Sequence, residues 1–262
     1  MIDCKLIAAE HKERLKKYMV DNHLSVGFAV IQVGDNPASN SYIKGKKSDC
    51  VETNINFYHI KFDNVDTVAT EDIISEINRL NNDKEIQGII VQLPLPHHLD
   101  QAAILNAIAD EKDVDGFKTS SKFTPCTPKG VMMILEHLGI DVNGKVCCVV
   151  GRGEVGKPMV DLLTKHNATV LWCNSHTPEY IINKGLDADV VITATGHKGL
   201  IQYVPLGTTV IDVGISRGDD GKLYGDVDRK CYEDYLNITP VPGGVGLMTR
   251  VALLENTVYG GI

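Results

Sequence analysis

The sequence predicts an α/β protein with two domains around a cleft. The C-terminal domain is expected to be a Rossmann-type parallel sheet, and the N-terminal domain a parallel α/β sheet. Three observations carry this expectation. Short apolar runs at Val26–Ile31, Asn56–Ile60 and Gln87–Gln92 alternate with helix-patterned stretches. The alternation returns at Val146–Val150, Thr169–Cys173, Val190–Thr193 and Thr209–Val213. Between the first two of these later runs, Gly151, Gly153 and Gly156 spell G-x-G-x-x-G where a strand gives way to a helix.

Residues 5–20 place Leu6, Ile7, Leu15, Tyr18 and Met19 among many charges, the pattern of an amphipathic surface helix. The first strand stops at the Gly34-Asp35-Asn36-Pro37 turn, and Ala38-Ser39-Asn40 opens a helix containing Tyr42, Lys44, Lys46 and Lys47. Ile73, Ile74, Ile77 and Leu80 line one face of the next helix, and Leu93-Pro94-Leu95-Pro96 stops the third strand. The turn-rich stretch Asp113–Pro128 is the natural seam, followed by a helix over Lys129–Leu138. Ile238–Gly246 is too rich in proline and glycine for a regular element, and a last amphipathic helix runs over Met248–Tyr259. The expected domains are residues 1–118, with the helix of 247–262 packing back on them, and residues 119–246.

Composition narrows the function classes. A chain of 262 residues, 43% hydrophobic and 23% charged, has the balance of a soluble globular protein. Its net charge of -8 argues against a general nucleic-acid or anionic-membrane surface, so anionic ligands must be held by local basic groups. No apolar window is long enough to span a bilayer, and the N-terminus runs into a charged helix without a secretory signal. The 7 cysteines are scattered without C-x-x-C spacing, which reads as buried reduced thiols in a cytoplasmic protein rather than a zinc site or disulfide framework. No metal is expected.

The glycine motif points to a dinucleotide. Gly151 allows the tight turn out of the strand, Gly153 lets the backbone approach a pyrophosphate, and Gly156 lets the helix pack close to the sheet. An NAD site usually carries an acidic residue about twenty positions on. Here the second strand runs into Asn174-Ser175-His176-Thr177, with no carboxylate. Those neutral groups, with Arg152 in the glycine turn, suit the 2′-phosphate of NADP, leaving NAD as the alternative. Glu154 in the same turn counts slightly against it.

Elsewhere the spacing leaves choices open. Tyr42 and Lys46 share a helix face, yet Lys44, Lys46 and Lys47 also read as one solvated basic face. Gln92 ends a buried strand, where it orients either a ligand or loop backbone. Asp113 and Asp115 fit turn-holding carboxylates, and His97 and His98 read as exposed loop residues.

Four stretches together resemble the bifunctional methylenetetrahydrofolate dehydrogenase/methenyltetrahydrofolate cyclohydrolase family. They are Val33-Gly34-Asp35-Asn36-Pro37-Ala38-Ser39 with Tyr42 and Lys46, Gly88–Pro96, Lys112-Asp113-Val114-Asp115-Gly116-Phe117, and Thr239–Gly246. Pro125-Cys126-Thr127-Pro128 and Ile211-Asp212-Val213-Gly214 fit as well, so the similarity spans nearly the whole chain. It implies NADP-dependent oxidation of methylene-tetrahydrofolate and hydrolysis of the methenyl product to formyl-tetrahydrofolate, in a homodimer. By the same resemblance Lys46 handles protons, Gln92 orients it, and Asp115 bonds the pterin ring nitrogens. Tyr42 stacks on the aminobenzoyl part, and Pro242, Gly243 and Gly244 shape the folate side. The cofactor contacts implied are Gly151, Arg152, Gly153, Gly156, Ser175 and Thr195.

The departures gather on the cofactor side. The family turn reads Gly-Arg-Ser-x-x-Val-Gly-x-Pro; this one is a residue shorter, with Gly153 in place of the serine. Asn174 stands where histidine is usual, and Leu247 replaces a proline. Two further readings follow: a cyclohydrolase with weak or lost dehydrogenase activity, and a non-catalytic folate- or nucleotide-binding protein. Lys46, Gln92 and Asp115 speak against the second.

Overall fold

The computed structural model describes residues 1–178, 182, 186–228, 230 and 237–260. Two compact units divide it. One comprises Glu10–Cys126 and Arg250–Ile262, the other Met1–Ala9 and Thr127–Thr249.

After helix α1 (Cys4–Asp21), the first unit carries strands β1 (Gly27–Val33), β2 (Asn56–Phe62) and β3 (Ile86–Val91) in a parallel sheet of order β2-β1-β3. Helices α2 (Pro37–Glu52) and α3 (Thr70–Asn82) make the crossovers, and a short α4 (Gln101–Asn106) follows β3. Every residue of central β1 is buried, as its unbroken apolar run demands, whereas edge strand β2 is mostly exposed. Ile73, Ile77 and Leu80 of α3 close over Ile31, Ile89 and Val91 in one core. The chain leaves β1 in one direction to β2 and in the other to β3, so the ends of β1 and β3 form a topological switch point, where open α/β sheets leave a crevice. Gln92 is the first residue beyond β3 at that point, its N–H bonded to the Ile31 carbonyl at 2.8 Å.

The second unit repeats the plan. Helix α5 (Cys126–His137) leads to strands β4 (Val146–Val150), β5 (Thr169–Cys173), β6 (Val190–Thr193) and β7 (Thr209–Asp212), all parallel in the order β5-β4-β6-β7. Helix α6 (Gly156–Lys165) joins β4 to β5. A small antiparallel pair, β8 (Ser216–Arg217) and β9 (Leu223–Tyr224), follows β7, and helix α7 (Val245–Gly260) ends the described chain. The switch point lies between β4 and β6, which puts the glycine motif at the mouth of the crevice.

Sterics at that mouth separate the three glycines. Gly151 has φ +128, and a Cβ there would overlap the Ala194 carbonyl at the end of β6. A Cβ on Gly156 would overlap the carbonyl oxygen of Gly151, so its absence lets α6 begin against the turn. Nothing lies within 4 Å of the place a Gly153 Cβ would take, an open surface for a ligand to approach.

α5 begins at Cys126, three residues before the start expected from the sequence, because Cys126 and Thr127 continue the helical turn ahead of Pro128. Neither α4 nor the β8–β9 pair was expected; at 6 and 2 residues these elements are too short to show a period. No helix among the described residues is long and apolar enough to cross a membrane.

Gly156→Ala is expected to lower the stability of the second unit by about 2 kcal/mol, because backbone must give way. Gly153→Ala should change it by less than about 0.5 kcal/mol. Urea unfolding followed by the fluorescence of Trp172, the single tryptophan, reads both.

Candidate active site

Three of the predicted residues meet in the first unit. α2 starts at an Asn36 cap, whose side-chain oxygen accepts from the N–H groups of Ala38 and Ser39 at 2.9 and 3.2 Å, with Pro37 in the first turn. The buried Gln32 amide donates to Asn40 Oδ1 at 2.7 Å and to the Gly34 carbonyl at 3.0 Å, tying this turn to the end of β1. So anchored, α2 sends Lys46 to the switch point, and Lys46 Nζ donates to Gln92 Oε1 at 2.9 Å. Gln92 presents oxygen rather than nitrogen because its Nε2 donates to the Leu93 carbonyl at 2.8 Å.

Burial decides the charge of this amine. Lys46 is half-buried, and desolvation of its amine pulls its pKa below the ordinary lysine value. The Asp115 carboxylate works in the opposite direction, and the Arg250 guanidinium adds to the lowering. Asp115 is the mirror case: burial raises its pKa, Lys46 and the Cys126 thiol hold it down, and Asp113 adds to the rise. Each group is drawn toward its neutral form and each keeps the other partly charged. Opposed shifts of this kind on neighbouring groups suit general acid–base chemistry.

Tyr42 lies one turn before Lys46 on α2 and is 49% exposed, leaving its ring free to stack on a ligand. Asp113 is 3% exposed, and its Oδ2 accepts from the Lys118 N–H at 3.1 Å, so it holds the loop. His97 and His98 are exposed, with His98 Nε2 3.1 Å from the Val68 carbonyl.

Two supporting residues on α7 carry no sequence signal. Asn256 is buried, and its amide donates to the Val114 carbonyl at 2.9 Å and the Thr124 carbonyl at 3.2 Å, fixing the loop on either side of Asp115. Arg250 Nε lies 2.8 Å from Asp49 Oδ2 as an ion pair without hydrogen-bond alignment. Lys12 Nζ reaches the other oxygen of Asp49 at 3.2 Å and also pairs with Glu52. Gly45 makes this possible, since a Cβ there would overlap the Arg250 guanidinium.

The second unit holds the other predicted residues. The N-terminus of α6 has no side-chain cap and no acidic residue in its first turn; the Lys157 N–H bonds the Gly153 carbonyl at 3.2 Å and Pro158 has no N–H, so the glycine turn ahead of the helix is the part that suits an anion. Val150 and Cys173 pair in register, so Arg152 and Ser175, each two residues further, stand at neighbouring strand ends, and both are exposed. The Arg152 guanidinium lies 4.4 Å from the centroid of the Trp172 ring. Thr195 follows β6, and its N–H donates to Asp226 Oδ2 at 2.7 Å, while Asp226 Oδ1 accepts from His197 N–H at 2.9 Å. Asp226 thus holds the Thr195–His197 turn; Asp212, its buried neighbour, has its pKa raised to about 6, mainly by burial. Pro242, Gly243 and Gly244 belong to this second unit too: Pro242 is exposed, Gly243 has φ +93, and a Cβ on Gly244 would overlap the Pro240 carbonyl.

A Rossmann-type nucleotide sheet in one unit and a buried lysine–carboxylate pair in the other define a nucleotide-dependent enzyme that also moves protons. Comparison with known proteins narrows that class. Residues 2–115 match the tetrahydrofolate dehydrogenase/cyclohydrolase catalytic domain, and residues 125–260 match the NAD(P)-binding domain of the same enzymes. The bifunctional protein FolD of Magnetococcus marinus is 41% identical over 278 residues, covering 99% of this chain and 96% of that protein. The crystal structure of the bifunctional FolD methylenetetrahydrofolate dehydrogenase/cyclohydrolase from Campylobacter jejuni matches with TM-score 0.88 at 39% identity, over 99% of this chain and 97% of that one. The Trypanosoma brucei FolD enzyme, solved with NADP cofactor and an inhibitor, matches with TM-score 0.89 at 30% identity, over 100% and 96% of the two chains. The chain belongs to the tetrahydrofolate dehydrogenase/cyclohydrolase family.

Replacing Asn256 with Leu leaves the Val114 and Thr124 carbonyls without this donor. It is expected to cost about 2 kcal/mol of stability, read by urea denaturation of the full chain.

Proposed function

We propose that this chain catalyses the NADP-dependent oxidation of methylene-tetrahydrofolate to methenyl-tetrahydrofolate and the hydrolysis of that product to formyl-tetrahydrofolate. The observation that carries the reading is the Lys46 amine, held 2.9 Å from Gln92 Oε1 and drawn toward its neutral form by burial, within the segment matching the family's catalytic domain.

The oxidation asks little acid–base work of the protein, because the nitrogens beside the reacting carbon stabilise the cation that hydride loss leaves. Holding the partners in near-attack geometry is the main requirement. NADP⁺ supplies the hydride acceptor when bound. The second unit fits it: the open surface at Gly153, in the turn that leads into α6, suits the pyrophosphate, Gly151 and Gly156 keep the turn tight, and Arg152 and Ser175 suit the 2′-phosphate. Thr195, in the turn braced by Asp226, is assigned to the cofactor as well. The close fit of Gly151 and Gly156 favours a working dehydrogenase although the glycine turn is one residue shorter than the family pattern.

Hydrolysis is where Lys46 acts. Water adds to the methenyl carbon and must lose a proton, and one ring nitrogen must gain a proton as its bond to that carbon breaks. A lysine amine with a lowered pKa takes the first proton and returns one for the second. Gln92 accepts from the amine and keeps its position between the two steps. Asp115 accepts from pterin N–H groups, Tyr42 stacks on the aminobenzoyl ring, and Pro242, Gly243 and Gly244 border the folate. In this reading residues 1–118 with 247–262 serve the folate and residues 119–246 the cofactor. The protein works as a homodimer, in a reducing cytoplasm suited to its six described cysteines, all free and buried.

Lys46→Met is expected to slow methenyl ring opening at least about 100-fold, with folate affinity changed no more than a few-fold. Loss of the methenyl absorbance over time measures the rate, and undiminished ring opening would remove Lys46 from the mechanism.

A further inference from the structure

Trp172 has two contacts that the cofactor assignment leaves unexplained. It lies on β5, the edge strand, opposite Val149 in register, on the other face from Cys173, which packs into the buried core of the unit. Its indole N–H donates to the Gly151 carbonyl at 2.8 Å. The face of its ring lies 4.4 Å from the Arg152 guanidinium carbon. One side chain therefore fixes both the backbone just before Arg152 and the side chain of Arg152 itself.

The consequence follows from the shape of a guanidinium. Stacked on an aromatic face, it keeps its N–H donors in its own plane, unused by the ring and free for an anion. Arg152 is otherwise an exposed side chain in a glycine turn, with Gly153 beside it and no neighbour within 4 Å of the place where a Gly153 side chain would start. Unstacked, it would lose much rotamer freedom on meeting a phosphate; stacked, it has lost that freedom beforehand. The Gly151 bond matters for the same reason, since a turn this short and glycine-rich gives the backbone little restraint of its own.

We infer that Trp172 is a specificity-determining residue, a platform that presents Arg152 to the 2′-phosphate of the cofactor and so sets the preference for NADP over NAD. The inference rests on the NADP reading of this site. Trp172 is a positioning residue, acting through Arg152 with no contact of its own to the phosphate, and it takes on that work in a turn one residue shorter than the family pattern.

The test uses the full-length chain and binding rather than turnover. As the single tryptophan, Trp172 reports on its own surroundings. Titration with adenosine 2′,5′-bisphosphate is expected to change its fluorescence saturably, while adenosine 5′-phosphate at the same concentrations leaves it unchanged. Calorimetry then compares NADP⁺ and NAD⁺. Trp172→Leu should weaken NADP⁺ about tenfold and NAD⁺ less than about twofold; Trp172→Phe, which keeps the ring face and loses the N–H, should weaken NADP⁺ by about threefold. Equal losses for both cofactors would mean that Trp172 only shapes the turn, and would overturn the inference. A wild-type preference for NADP⁺ that neither replacement alters would overturn it while leaving the NADP reading intact. A wild-type chain without that preference would overturn both. Should the leucine variant not fold, the phenylalanine variant and the wild-type fluorescence still decide.

Discussion

The contact on which the chemistry proposed for the first unit depends is the hydrogen bond from Lys46 Nζ to Gln92 Oε1. Enclosing an ammonium without a full counter-charge costs several kcal/mol, and a hydrogen bond to a neutral amide returns only about 1–3 kcal/mol. The balance favours the neutral amine until a charge nearby offsets it. Asp115 offers that charge, but its own burial favours the carboxylic acid, so burial draws both groups toward their neutral forms while each opposes that shift in the other. Much of the surrounding structure reads as support for this unsettled pair. The Asn36 cap and the Gln32 network place α2, Leu93 turns the Gln92 amide, and Asn256 clamps the loop that carries Asp115.

Arg250 belongs to the same balance. Its guanidinium occupies the space left by Gly45 and answers the buried carboxylate of Asp49, which Lys12 also reaches. A cation held there by a partner that is itself buried discourages a second positive charge on Lys46. The second unit applies a parallel logic to an anion. An open glycine turn, an arginine over the Trp172 ring and a neutral strand end replace the carboxylate that would favour an unphosphorylated ribose.

The strands were legible because their apolar runs are dictated by burial: Phe28–Ile31, Ile89–Val91 and Cys147–Val150 are almost wholly enclosed. Gly151 and Gly156 were legible because each stands where a Cβ would strike a neighbouring carbonyl. Lys46 was harder: on spacing alone it looked like one of three solvated lysines, and only the motif around it and the depth of its amine set it apart from Lys44 and Lys47. Arg250, Asn256 and Asp226 could not be read, since each acts on a segment distant in sequence and no local period marks it. Trp172 read as one more residue of a buried strand; its contacts with Gly151 and Arg152 depend on how β5 pairs with β4, which composition does not encode.

In the proposed mechanism Lys46 carries a proton because burial draws its amine toward the neutral form. Its side-chain nitrogen, labelled with ¹⁵N and assigned by comparison with a Lys46→Met chain, can be titrated directly by NMR. Lys46 is expected to ionise below the other lysines, with a methenyl ring-opening rate that rises with pH through the same ionisation. An amine that titrates together with Lys44 and Lys47, and a rate indifferent to it, would contradict the account.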